Sequence, residues 1–123
     1  LSAWCDANRV QQVLINLLSN ALDAVQGGNT RCVEIACNRC GAWAQITVRD
    51  HGPGLSDQAQ ARLFEPFFTT KTEGLGLGMS LSKSIIESFG GSLSAHANAD
   101  APGLTVWFRL PEDTGMEANK ETP

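Results

Sequence analysis

Three short segments bring together residue types that can do chemistry. Asn16, Asn20 and Asp23 stand at i, i+4 and i+7, so a helix through them carries all three on one stripe. A solvated face opposite an apolar one would look the same. Asparagine is a mediocre helix former, however, and its amide oxygen is a neutral ligand suited to a hard cation such as Mg²⁺ that also touches substrate phosphates. The second segment, Asp50-His51-Gly52-Pro53-Gly54, matches a D-x-G-x-G pattern. An ordinary turn uses the same residues. A carboxylate at a strand end can also accept a hydrogen bond from an exocyclic amine such as adenine N6, and glycines let a flat ring approach the backbone. The third segment, Gly74-Leu75-Gly76-Leu77-Gly78, stands directly before a helical pattern. Backbone N–H groups and the positive dipole end can hold phosphate there, although loop flexibility accounts for the glycines equally well. Neither common phosphate signature is met. Ser82 stands where a Walker A motif needs glycine before Lys83, and Leu81 where a dinucleotide fingerprint needs its third glycine.

Between the last two segments, Leu63-Phe64-Glu65-Pro66-Phe67-Phe68-Thr69-Thr70-Lys71 gathers three of the five phenylalanines. Burial is expected for such a cluster, which then anchors the loop that follows, with Lys71 either reaching a phosphate or solvated. Cys32, Cys37 and Cys40 imitate part of a plant-type iron-sulfur spacing. A metal site is not expected from them, because Cys32 and Cys37 should point to opposite faces of one strand and Cys5 lies far upstream. His51 and His96 have no nucleophile near them in sequence, so turn and strand roles suffice for both.

The elements that position these residues follow from periodicity. Val10, Val13, Leu14, Leu17, Leu18, Ala21, Leu22 and Val25 predict an amphipathic helix from an Asp6 N-cap to a stop at Gly27-Gly28, its apolar face being Leu14, Leu18, Leu22 and Val25. Cys32 to Cys37 and Trp43 to Arg49 predict a hairpin turning at Asn38 to Gly41. Ser56 should cap a short helix carrying Leu63 and Phe64 and stopped by Pro66. Leu81, Ile85, Ile86 and Phe89 mark a second long helix ended by Gly90-Gly91, before strands at Leu93 to Ala97 and Leu104 to Leu110. The order strand, helix, hairpin, short helix, helix, hairpin predicts an α+β two-layer sandwich, a mostly antiparallel sheet with helices on one face. Residues 1–111 are expected to form this domain and 112–123 a polar tail.

Composition sets the outer limits. The 123 residues are 42% hydrophobic with a formal charge of −4, which fits one compact soluble domain and excludes collagen, coiled coil and wholesale disorder. The acidic balance argues against nucleic acid or an anionic membrane as partner. No apolar run approaches a membrane span. With no signal peptide in view, the cysteines are expected to be reduced thiols in the cytoplasm.

Taken in order, Asn16-Leu-Leu-Ser-Asn20-Ala-Leu-Asp23-Ala, Asp50-His-Gly52-Pro-Gly54, Leu63 to Lys71 and Gly74-Leu-Gly76-Leu-Gly78 resemble the N, G1, F and G2 boxes of sensor histidine kinases. The resemblance runs from about Asp6 to Pro111, and the Asn-Ala-Leu-Asp-Ala form is similar to that of nitrogen-regulation and dicarboxylate-sensing kinases. It implies the ATP-binding catalytic domain of the gyrase, Hsp90, histidine kinase and MutL superfamily, with the Bergerat α/β sandwich. It also implies ATP and Mg²⁺ as cofactors, Asn20 as the Mg²⁺ ligand and Asp50 as the adenine N6 acceptor beside Gly52 and Gly54. Gly76, Leu77, Gly78 and Met79 become the phosphate cradle. Asn16 and Asp23 line the same wall, Thr70, Lys71 and Gly74 belong to the closing lid, and Thr105 supports adenine through water. Many members carry Lys at the position of Asp23, so a water- or Mg²⁺-mediated role is implied there. The ATPase branches carry Glu at the position of Asn16, and an amide cannot act as that base. The implied activity is therefore γ-phosphoryl transfer to a histidine on a separate dimerisation domain, and from there to a response regulator. Neither His51 nor His96 fits the phosphoacceptor. The chain is expected to bind Mg-ATP without autophosphorylating, to be monomeric, and to keep the Thr69 to Leu75 lid mobile without nucleotide.

Overall fold

The structure, a computed structural model, describes residues 3, 5–26, 32–66 and 78–113. The expected stop at Gly27-Gly28, the rings of Phe67 and Phe68, the lid and the polar tail beyond Asp113 lie outside the described residues.

Helix α1 spans Ala7–Val25, and its N-cap Asp6 accepts hydrogen bonds from the Asn8 and Arg9 N–H groups. That satisfies two of the otherwise orphaned donors at a helix start. The buried stripe is Val13, Leu17, Ala21 and Val25, with Leu14 and Leu18 flanking it. Leu22, expected in the core, is 55% exposed, because one residue past Ala21 the helix has turned by about 100°. Asn16 and Asn20 are half-buried and so do not form a solvated face.

Strands β1 (Val33–Cys40) and β2 (Trp43–Asp50) form the predicted hairpin with a tighter turn than expected, Cys40 pairing directly with Trp43. Gly41 enters the two-residue connection at φ +64, which hairpin turns of this length favour. β1 is one edge of the sheet and nearly all of it is exposed, Ile35 included. Helix α2 is Asp57–Ala61, capped by Ser56 as predicted, but it ends at Arg62. Leu63 and Phe64 therefore lie in the turns after it, still packed against the core.

Helix α3 runs from Gly78 to Ser88 and buries Met79, Ser82, Ile85 and Ile86, leaving Leu81 exposed on the far side. It closes in a Schellman arrangement. Gly90 N–H donates to the Glu87 carbonyl and Gly91 N–H to the Ile86 carbonyl, with Gly90 at φ +81. Strands β3 (Ser92–Ala97) and β4 (Leu104–Pro111) complete an antiparallel sheet of order β1-β2-β4-β3.

Alternate residues of β2 and β4 meet α1 and α3 in one core. Phe108, Ile86, Leu93 and Val13 are fully buried there and contribute about 1.5–3 kcal/mol each. Where a leading strand is expected, the described residues hold an antiparallel bridge between Ala3 and Glu112. Glu112, placed in the tail by sequence, is tied to the domain: its N–H donates to the Ala42 carbonyl and its side chain pairs with Arg39. Among the described residues no helix is long and apolar enough to cross a membrane.

Candidate functional site

Asp50 is the last residue of β2 and shares the helix-facing side of the sheet with Val48. Only 6% of it is exposed. A carboxylate this deep needs donors, and Oδ1 has two: Gly52 N–H at 3.0 Å and Leu104 N–H at 3.2 Å. The other oxygen, Oδ2, receives no hydrogen bond from any described residue. One oxygen is thus fixed by the backbone, which orients the second as an acceptor at the strand end.

The glycines around Asp50 are there for close backbone approach. A Cβ on Gly52 would lie 2.5 Å from the Ala24 carbonyl oxygen, so this turn rests directly on the last turn of α1. Gly103, at φ +126, would place a Cβ within 2.2 Å of the Asp50 carbonyl oxygen. Gly54, at φ +79, stands against Gly103. Asn98 clamps the assembly from the side. Its Nδ2 donates to the Asp50 carbonyl at 2.9 Å and the Pro102 carbonyl at 3.3 Å, and its Oδ1 accepts the Thr105 hydroxyl at 2.6 Å.

Thr105 is not brought to the Asp50 carboxylate. In the β4 register it pairs with Arg49, on the face opposite Asp50, because strand side chains alternate. The residue sharing Asp50's face is Leu104, and it contributes a backbone N–H. Thr105 acts one step removed, by holding Asn98. Replacing Asn98 with Ala should cost roughly 1–3 kcal/mol, since it leaves the buried Thr105 hydroxyl and two carbonyls without that partner. A urea unfolding midpoint unchanged from the parent would contradict that role.

At the other end of the site, α3 begins against the middle of α1. A Cβ on Gly78 would meet the Asn16 amide at 2.5 Å. Asn16 Nδ2 donates to Ser82 Oγ at 3.1 Å, and Asn20 Nδ2 to the Met79 sulfur at 3.2 Å. Met79, expected as part of a backbone cradle, thus also buries its side chain and orients Asn20. Gly78, Met79 and Ser80 form the first described turn of α3, and their N–H groups point toward its N-terminal end. Asp23 is exposed on the same stripe of α1. Thr70, Lys71, Gly74, Gly76 and Leu77 lie outside the described residues.

α1 is therefore the shared wall. From Asn16, at the start of α3, to Ala24, under the Asp50 turn, it runs about 12 Å. A groove of about 280 Å³ opens on the Ile15 and Leu81 side of Asn16. Asn16, Gly78 and Ser82 line it, whereas Asn20 and Asp50 do not. Among the positioning residues, Asn98, Gly103 and Ser82 were not legible as such. Gly103 carried a signal as a turn glycine; Asn98 carried none.

The family model described as histidine kinase-, DNA gyrase B-, and HSP90-like ATPase matches residues 5–114. The C4-dicarboxylate transport sensor protein DctB of Rhizobium meliloti (strain 1021) is 39% identical over 106 residues, covering 86% of this chain and 17% of that protein. Sporulation kinase B of Bacillus subtilis (strain 168) is 36% identical over 113 residues, covering 92% of this chain and 26% of its own. The chain thus spans a minor part of the relatives it matches. Among solved structures, the nucleotide-free catalytic domain of histidine kinase ThkA superposes with a TM-score of 0.74 at 33% identity, over 88% of this chain and 69% of that one. Full-length ShkA in complex with AMPPNP gives a TM-score of 0.74 at 29% identity, over 91% of this chain and 23% of that one.

Proposed function

Because the chain belongs to the histidine kinase-, DNA gyrase B- and HSP90-like ATPase family, we propose that it binds Mg-ATP and presents the γ-phosphoryl group to a histidine on a separate dimerisation domain of the same kinase, for two-component signalling through a response regulator. The observation that carries this reading is Asp50, a buried carboxylate with one oxygen fixed by two N–H groups and the other left to a ligand.

In this reading adenine lies at the Asp50 turn, its N6 amine donating to Oδ2, while Gly52 and Gly54 let the turn pack closely on Ala24 and Gly103. The phosphates lie at the other end of the α1 wall, where the first-turn N–H groups of α3 and its positive dipole end face them. Hard oxygen donors suit Mg²⁺, and the Asn16, Asn20 and Asp23 stripe offers them from one helix face. Asn20 is the direct ligand, with its Nδ2 turned to Met79, and Asn16 and Asp23 line the same wall. Bound there, Mg²⁺ supplies charge neutralisation of the phosphates. Lys71 of the lid completes the phosphate contacts. Replacing Asn20 with Ala should leave most nucleotide affinity but remove its dependence on Mg²⁺. Calorimetric titration with and without the ion checks this, and an Mg²⁺ effect equal to the parent's would exclude Asn20 as the ligand.

Asn16 separates transfer from hydrolysis. Its amide has no base to offer a water, and its nitrogen is engaged with Ser82. The chain should therefore turn ATP over slowly alone and transfer phosphate when mixed with a helical domain that carries the acceptor histidine. Rapid steady hydrolysis by the chain alone, with no transfer to that domain, would replace this reading with an ATPase one.

A further inference from the structure

A second group of chemically competent side chains lies outside this site, at the open edge of the sheet. The register that pairs Val33 with Asp50 sets Cys32 opposite His51, and Glu34 follows Cys32 on the same side of β1. The Cys32 sulfur, a Glu34 carboxylate oxygen and a His51 ring nitrogen all lie within 4.8 Å of one another. Glu34 Oε2 is 3.5 Å from His51 Nε2.

We propose that Cys32, Glu34 and His51 form a three-ligand site for a divalent transition-metal ion, best matched by Zn²⁺, with the fourth position left to water. The donor set decides the class of ion. One thiolate and one imidazole exclude the oxygen-seeking Mg²⁺ and Ca²⁺, and a mixed S, N, O set in a tetrahedral arrangement is zinc chemistry. With Zn–S about 2.3 Å and Zn–N or Zn–O about 2.0–2.2 Å, ligand atoms in such a centre stand about 3.5 Å apart. The Glu34–His51 pair already has that spacing, and the exposed Cys32 sulfur lies within 4.8 Å of both. Binding releases the thiol proton to solvent.

Among the described residues, the cation beside Glu34 is Arg49, and it does not block the site. Arg49 approaches Glu34 Oε2 at 3.7 Å but makes its short contact, 2.7 Å, with Asp100. The Arg49 hydrogen bond holds the Asp100 carboxyl below its usual range, so Asp100 is the main partner of Arg49. The site involves no nucleotide, so it stands or falls independently of the ATP reading.

The test is titration of the chain with Co²⁺ in chelator-free buffer, followed by thiolate-to-cobalt charge-transfer absorption, and then displacement by Zn²⁺. One ion per chain, with the charge-transfer band, is expected. Cys32→Ser should abolish the band and weaken Zn²⁺ at least about tenfold, and Glu34→Gln should weaken Zn²⁺ while keeping the band. A Cys5→Ser, Cys37→Ser, Cys40→Ser triple variant should bind as the parent does. Persistence of the band in Cys32→Ser, its loss in the triple variant, or no band in the parent overturns the proposal. Circular dichroism confirms that each variant is folded.

Discussion

Asp50→Asn should weaken adenine nucleotide binding by about 100-fold or more while leaving the domain folded. The structure gives the reason atom by atom. Oδ1 is held by the N–H groups of Gly52 and Leu104, and an asparagine can satisfy both only by placing its carbonyl oxygen there. The amide NH₂ is then forced to the Oδ2 position, where it faces the N6 amine of adenine as donor against donor. Losing a hydrogen bond to a charged group is worth about 1.5–3 kcal/mol, and the uncompensated donor adds to that. The fold keeps its two backbone bonds, so the urea midpoint should change little. Equal affinity of the variant and parent for an ATP analogue would remove Asp50 from the adenine site.

Gly103→Ala should destabilise the domain by about 3–5 kcal/mol, a large fraction of the roughly 5–15 kcal/mol that holds a domain together. Two penalties act together. At φ +126 an L side chain is strained, at about 1–3 kcal/mol. The new Cβ would also press on backbone, 2.2 Å from the Asp50 carbonyl oxygen and 2.6 Å from Asn98 Nδ2, and overpacking of that kind costs about 1–3 kcal/mol more. Gly41→Ala isolates the first penalty, because Gly41 at φ +64 has nothing within 4 Å of its Cβ position. Its cost should stay near 1–2 kcal/mol. Urea unfolding of the two variants compares them directly, and equal losses would mean that the packing around Asp50 carries none of the cost.

Legibility in the sequence followed how local the cause was. Asp6 and Ser56 cap the helices they precede because capping is decided within three residues, and both caps were readable. The glycine pair after α3 was readable for the same reason. Asp50 and the Asn16, Asn20 and Asp23 stripe were singled out because a carboxylate at a strand end and amides on one helix stripe can also hold a ligand. What was not readable needed parity or pairing. The side of β4 that Thr105 takes is set by the register, which pairs it with Arg49 while the Leu104 N–H reaches Asp50. Leu22 was assigned to the core, but the buried stripe of α1 passes through Ala21. Burial of Asn16 and Asn20 depends on α3 arriving from 60 residues away, which periodicity within α1 does not encode. Cys32 and His51 were read separately, because only the β1–β2 register makes them neighbours.

The central claim is that one nucleotide spans from the Asp50 turn to the start of α3 along the α1 wall. Amide NMR spectra of the chain, recorded while a non-hydrolysable ATP analogue and Mg²⁺ are titrated in, test it most directly. The account predicts saturable shifts of the Gly52 and Leu104 amides, which hold Asp50, together with those of Gly78 to Ser80 in the first turn of α3, and small changes at the β1 edge. An unchanged spectrum at millimolar analogue, or shifts at one end of the α1 wall without the other, would contradict it.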